Sequence, residues 1–158
     1  MVTAGGRLRT MGALAAIFLV TGNVAATDFG RQTYLLHCAG CHLPDGTGSA
    51  PNEVPTLHRI PGEFVKVPRG REFLAQVPGI VYSPLSDAEV AEILNWILAQ
   101  YSHEVLPKDF APYTAVEVAK YRAVRPASIM KVRAQVLVDL AAKGIVIDYA
   151  AHCIIRTR

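Results

Sequence analysis

Cys38-Ala39-Gly40-Cys41-His42 places two thiols three residues apart and an imidazole directly after the second. C-x-x-C-H is the attachment signal for c-type haem. The spacing suits that chemistry: two thiols on adjacent helical turns can each add to a vinyl group on one edge of the porphyrin, and the histidine then meets the iron. Ala39 and Gly40 are small enough to let the backbone approach the ring closely. Two other readings use the same residues. A thioredoxin-like redox pair needs a strand before the motif in a βαβ pattern, but Tyr34-Leu35-Leu36-His37 lies in a helical stretch. A zinc site would recruit Cys38, Cys41, His42 and the distant Cys153, without the second C-x-x-C that such sites commonly carry.

Upstream, Arg7 and Arg9 precede an apolar run from Met11 to Val20 and a small-residue stretch ending Val24-Ala25-Ala26. This is a secretory signal peptide pattern, with cleavage predicted after Ala26. The run is too short to cross a bilayer comfortably, which takes about 20 residues. The mature chain would hold 132 of the 158 residues, and its formal net charge would fall from +3 to +1. No later stretch is long and apolar enough for a membrane span, and such a weak basic excess argues against nucleic acid. With 51% hydrophobic and 18% charged residues the chain is a globular domain, not a disordered one. Export and haem attachment agree, because c-type haem is attached outside the cytoplasm. Cys153 is left as an odd thiol, with an intermolecular disulfide as one consequence.

Downstream, Ser86-Asp87-Ala88-Glu89 is a capping box that opens a helix. Val90, Ile93, Leu94, Ile97, Leu98 and Tyr101 follow at spacings of three and four and form one apolar stripe. Trp96 lies off that stripe. From Gly30 to about Tyr101 the chain resembles a class I, single-haem cytochrome c. The resemblance implies an all-α fold wrapped around one covalent haem c. It also implies an N-terminal helix whose Gly30 and Tyr34 meet the aromatic Trp96 of the last helix. Val54-Pro55-Thr56-Leu57 resembles the family's P-x-L segment, which implies that the Pro55 carbonyl accepts a hydrogen bond from the ring nitrogen of His42. Asp45-Gly46-Thr47-Gly48-Ser49 resembles the turn that leaves the haem motif.

Residues 43–84 carry seven of the ten prolines and read as a 42-residue loop, which a haem would supply with an apolar surface to wrap. The segment also departs from the family. Class I cytochromes place a methionine in the loop before the last helix, yet Gln76-Val77-Pro78-Gly79-Ile80-Val81-Tyr82-Ser83-Pro84 has none. Three alternatives stand: Met130, the only methionine outside the leader; another side chain among Tyr82, His58, His37 and His103; or an open, five-coordinate iron.

Beyond Tyr101 the chain runs on for 57 residues. Pro107 to Pro112 reads as an extended linker that lets Phe110 and Tyr113 pack on the core. Thr114-Ala115-Val116-Glu117 opens a short helix, and a longer one runs from about Ala127 to a stop at Gly144. Lys131, Arg133 and Lys143 read as its solvated face. Residues 145–158 show no clear fold signal. The domain division is therefore a signal peptide at 1–26, a cytochrome c domain at 27–103, and a docked two-helix extension at 104–158.

The function that follows is a periplasmic carrier of single electrons and not an enzyme; a small haem enzyme such as a peroxidase is a third reading, for which no distal acid-base residues are identified. Cys38, Cys41 and Pro55 hold the haem, His42 binds its iron, and a dehydrogenase or oxidase is the redox partner. Arg59, Lys66, Arg69 and Arg71, set against Glu63 and Glu72, suggest a positive docking patch near the haem edge. A haem-based gas sensor with an open distal site is the alternative.

Overall fold

The computed structural model describes residue 1, residues 24–148 and residues 154–157. The apolar run of the leader, His152 and Cys153 lie outside the described residues. Among the described residues eight α-helices follow one another: α1 Val24–His37, α2 Ala39–His42, α3 Ile60–Phe64, α4 Pro68–Gln76, α5 Pro78–Val81, α6 Asp87–Tyr101, α7 Ala115–Arg122 and α8 Ile129–Ala141. They are closed by an antiparallel hairpin of β1 Ile145–Asp148 and β2 Ile154–Thr157, in which Ile145 faces Thr157 and Asp148 faces Ile154. Apart from that strand pair the fold is all helical, as the resemblance implies. The hairpin lies in the stretch that showed no fold signal. Ile147 anchors it by burying against the core.

The capping box at Ser86 forms as read, with the hydroxyl accepting from the Glu89 amide and the Glu89 carboxylate accepting from the Ser86 amide. Asp87 and Glu89 in the first turn also suit the positive end of the helix dipole. The stripe of α6 buries Val90, Ile93, Leu94, Ile97 and Leu98. α1 crosses this helix where Gly30 meets Trp96. A β-carbon on Gly30 would come within 2.4 Å of the Trp96 ring, so only glycine permits the approach. Fully buried Tyr34 stands one turn on, with its ring centroid 5.3 Å from Trp96 and 5.5 Å from Tyr101. Its hydroxyl donates to the Leu43 carbonyl at 2.6 Å.

The proline-rich middle is more helical than its composition suggests. Pro61 stands in the first turn of α3, and Pro68 and Pro78 open α4 and α5. There the missing N–H has no intrahelical partner to lose and the fixed φ already suits a helix, so these prolines start helices and do not break them. The segment expected as a loop is a chain of short helices joined at proline.

The 104–158 region is tied closely to the rest. α7 packs on α4 and α6, and α8 on α4 and α3. Tyr113, 3% exposed, exchanges backbone hydrogen bonds with the Asn95 side chain at 2.7 and 3.0 Å and donates its hydroxyl to the Arg71 carbonyl at 2.7 Å. Arg71 forms a two-point ion pair with Glu117 and lies 4.1 Å from the Tyr113 ring centre. Thr114 caps α7 by accepting from the Glu117 amide, but the capping box expected there is only half formed, since the Glu117 carboxylate is taken up by Arg71 and Tyr121. α8 starts at Ile129, two residues after the expected Ala127, because Ser128 takes the cap position and accepts from the Lys131 amide. The helix buries Val136 and Leu140 against Phe64 and Phe73.

Two stability outcomes follow. Gly30→Ala should cost about 1–3 kcal/mol through overpacking at the α1–α6 crossing, measured by denaturant unfolding. Glu117 is held below the ordinary carboxylate range by its hydrogen bonds from Arg71. Its contribution is present above the unfolded value of about 4.3 and is lost as pH falls through the lower folded value. Glu117→Gln should therefore lower stability at neutral pH and flatten its dependence on pH below about 4.3. A variant with the wild-type acid slope would remove that linkage.

Candidate functional site

Cys38, Cys41 and His42 share one wall of an apolar cavity of about 510 Å³. They get there because α1 breaks at Cys38 and restarts as α2. The Cys38 amide still bonds back to the Tyr34 carbonyl, and the His42 amide bonds to the Cys38 carbonyl at 3.0 Å. Leu43, at φ 63°, ends the turn. Both thiols are free, and burial pushes Cys38 up to about 11, with Cys41 adding to the rise. His42 is held below its ordinary value, because burial penalises the imidazolium more than the Pro55 carbonyl favours it. It is therefore neutral at pH 7. Its Nδ1–H donates to the Pro55 carbonyl at 3.0 Å, which fixes the tautomer and leaves Nε2 with a free electron pair.

The Pro55 carbonyl is itself placed by the turn at Asp45–Ser49, whose contact with Pro55 the sequence did not reveal. Gly48, at φ +75°, lies so close that a β-carbon would come within 2.5 Å of the Val54 oxygen and 2.6 Å of the Pro55 oxygen. Only glycine allows this conformation and this approach together. The glycine pair in Asp45–Ser49 was the available signal, but its target lies across the turn. The Gly46 carbonyl receives both the Leu57 amide and the Thr56 hydroxyl, and Ser102 Oγ donates to the Leu57 carbonyl at 3.1 Å. The P-x-L segment is thus pinned on both sides.

The remaining walls are mostly apolar. α6 contributes Leu94, Ile97 and Leu98; α3 and α4 contribute Phe64, Phe73 and Leu74; α5 contributes Ile80; and α8 contributes Ile129, Met130 and Arg133. Among the other distal candidates, His37 also lines the cavity, next to Cys38 on the same segment. Three do not. His58 bonds through Nε2 to the Asp45 carbonyl at 2.8 Å and packs on Tyr101, Tyr82 is 78% exposed beneath Arg125, and His103 sits in the turn after α6.

The charges differ from the expected pattern. Arg59 pairs with Glu63 and Glu104, Lys66 with Glu63, Arg69 with Asp139 and Arg71 with Glu117, and none of the four lines the cavity. Glu63 is 1% exposed, and Lys66 reaches its Oε2 at 2.5 Å as an ion pair without hydrogen-bond alignment. The buried Glu63 carboxylate requires Arg59 and Lys66, while Arg69 and Arg71 are matched by Asp139 and Glu117, so the four cations do not form the unopposed positive patch expected. The solvated face expected on α8 is likewise interrupted, by Arg133 at the cavity and by Lys143 bonded to the Lys66 carbonyl at 2.8 Å.

A helical domain that crosses α1 on α6 through glycine and aromatics, and carries C-x-x-C-H beside a carbonyl-braced histidine, has the build of a small c-type cytochrome. No family model matches the chain. It is 32% identical over 124 residues to a cytochrome c-552 of Thermus thermophilus, covering 67% of this chain and 83% of the relative. A second Thermus thermophilus cytochrome c-552 is 34% identical over 104 residues, covering 54% and 79%. The chain belongs to the class I c-type cytochromes, proteins that carry electrons on a covalently bound haem.

Gly48→Ala should drive the Pro55 carbonyl away from His42. The expected result is loss of the slowly exchanging His42 Nδ1 proton in NMR spectra, with about 1–3 kcal/mol of destabilisation. Retention of that proton would show that Gly48 does not position the carbonyl.

Proposed function

We propose that the chain is an exported electron carrier with a single haem, attached through Cys38 and Cys41 and ligated by His42. The observation that carries this is the gathering of both thiols and the neutral, Pro55-oriented imidazole on one wall of one apolar cavity. The cavity's volume lies in the range of about 300–1,000 Å³ typical of sites that bury a small molecule, and its lining suits a flat apolar macrocycle. A haem bound there supplies a one-electron iron couple. The side chains do the rest. Nδ1 of His42 stays on the Pro55 carbonyl and holds Nε2 towards the cavity, while Phe64, Phe73, Leu94, Ile97 and Leu98 keep water away. A low local dielectric and a fixed ligand set the potential and limit reorganisation.

The division into a leader at 1–26, a haem domain at 27–103 and an extension at 104–158 belongs to the same proposal, as does the periplasmic location. Among the described residues no helix is long and apolar enough to cross a membrane. Redox partners such as a dehydrogenase or an oxidase would dock where the thiol edge opens, because Cys41 and Leu36 are exposed there.

Protein produced in a host that attaches haem during export should keep its pigment in acidified acetone and gain the mass of one haem. The Cys38→Ala, Cys41→Ala double variant should lose both. A colourless wild-type protein from that host would end this reading.

A further inference from the structure

We propose that Met130, carried by the C-terminal extension, supplies the second axial ligand of the haem iron through its thioether sulfur. The inference rests on the haem reading above and adds to it a residue of the extension that lines the same cavity as His42.

The short connector from α5 to α6 holds no sulfur, whereas the first turn of α8 lines the cavity. α8 packs on α3 and α4 while α2 continues α1, so His42 and Met130 reach the same cavity from separate walls. Methionine in a helix usually fills core. Met130 does not: its neighbours Val136 and Leu140 are fully buried, whereas Met130 is 62% exposed and borders the cavity. Among the described residues, and outside the segment from His37 to His42, the cavity wall offers only Met130 as a soft donor suited to haem iron. Glu53 is a hard carboxylate beside Pro55, on the His42 side.

The support of α8 is firm. Ser128 caps it, Arg69 pairs with Asp139 at 3.1 Å, and Lys143 reaches the Lys66 carbonyl at 2.8 Å. A ligand near the start of such a helix is positioned by packing, as a ligand on a long free loop would not be. The facing wall is also held by the extension, because Arg122 donates to the Leu85 carbonyl at 3.1 Å, the Ile80 carbonyl at 3.3 Å and Asp87 at 2.7 Å. The 104–148 stretch thus replaces a ligand-bearing loop with a ligand-bearing helix.

The test compares wild-type protein with Met130→Ala and Met130→His, each first checked for haem resistant to acidified acetone. Wild-type ferric protein should show the weak long-wavelength band of sulfur-to-iron charge transfer, and ferrous protein should resist carbon monoxide. Met130→Ala should lose the band, bind carbon monoxide at once and fall in midpoint potential. Met130→His should restore a six-coordinate, carbon monoxide-resistant iron without the band. Because the side chain is largely exposed, far-UV circular dichroism should be unchanged in both. A pigmented protein whose spectra and potential are the same with and without Met130, or whose wild type already binds carbon monoxide, overturns the ligand and leaves the haem assignment standing. A protein that attaches no haem overturns both.

Discussion

The core of this protein is divided, and the divided parts meet at a hollow. One cluster joins α1, α2 and α6 around Tyr34, Ile93 and Ile97; a second joins α4 to α7 around Val90, Leu98 and Tyr113; a third joins α3, α4, α8 and β1 around Phe64, Phe73 and Leu140. Each sends side chains into the same cavity: Leu57 and Ile97 from the first, Ile80, Leu94 and Leu98 from the second, and Ile60, Phe64 and Phe73 from the third. Apolar surface left in contact with water forgoes about 25 cal/mol per Å². A covalently held apolar group would therefore join three small cores into one, and a domain of this size benefits most from such a link.

That constraint explains the economy of the middle segment. Short helices of four to nine residues, α3 to α5, cannot hold themselves by propensity. Each instead begins with proline in its first turn, which lowers the entropy of the unfolded chain and fixes where the helix starts. Each then turns one apolar edge inwards: Phe64, Phe73 with Leu74, and Ile80. Buried Glu63 is held by Arg59 and Lys66 at the outer side of the same segment, so charge closes the surface that the apolar edges leave behind.

Much of this was legible in the sequence where the signal is local. The capping box at Ser86, the cap at Thr114 and the stripe of α6 depend on spacings of three and four residues, and the structure has them, whereas the glycine and aromatic pairing of α1 with α6 was legible only through resemblance. The hydrogen bond from His42 to Pro55 was legible only through resemblance, since thirteen residues separate the partners. Two kinds of feature were not legible. Proline composition does not reveal whether a proline falls within or at the start of a helix, so the short helices read as loop. Charge composition does not reveal pairing at long range, so Arg69 and Arg71 read as a free patch although their partners, Asp139 and Glu117, stand 70 and 46 residues away.

The extension follows from the same geometry. A cavity bounded by α2, α3, α4, α5 and α6 has one side that the short connector before α6 cannot close, because residues 82–86 turn directly into the capping box. The open side exposes Phe64 and Phe73, and α8 covers them with Ile129 and Val132 at its partly buried edge and Val136 and Leu140 at its buried one. Covering that face places the first turn of α8 at the cavity, and with it whichever residues stand at 130 and 133. α7 is then required to span from Tyr101 to α8, and it is fastened by Asn95, Arg71 and Arg122 to three different elements of the haem-binding core, so the span is itself rigid. Residues 104–148 thus close, with α8, the side of the cavity that the connector before α6 does not line.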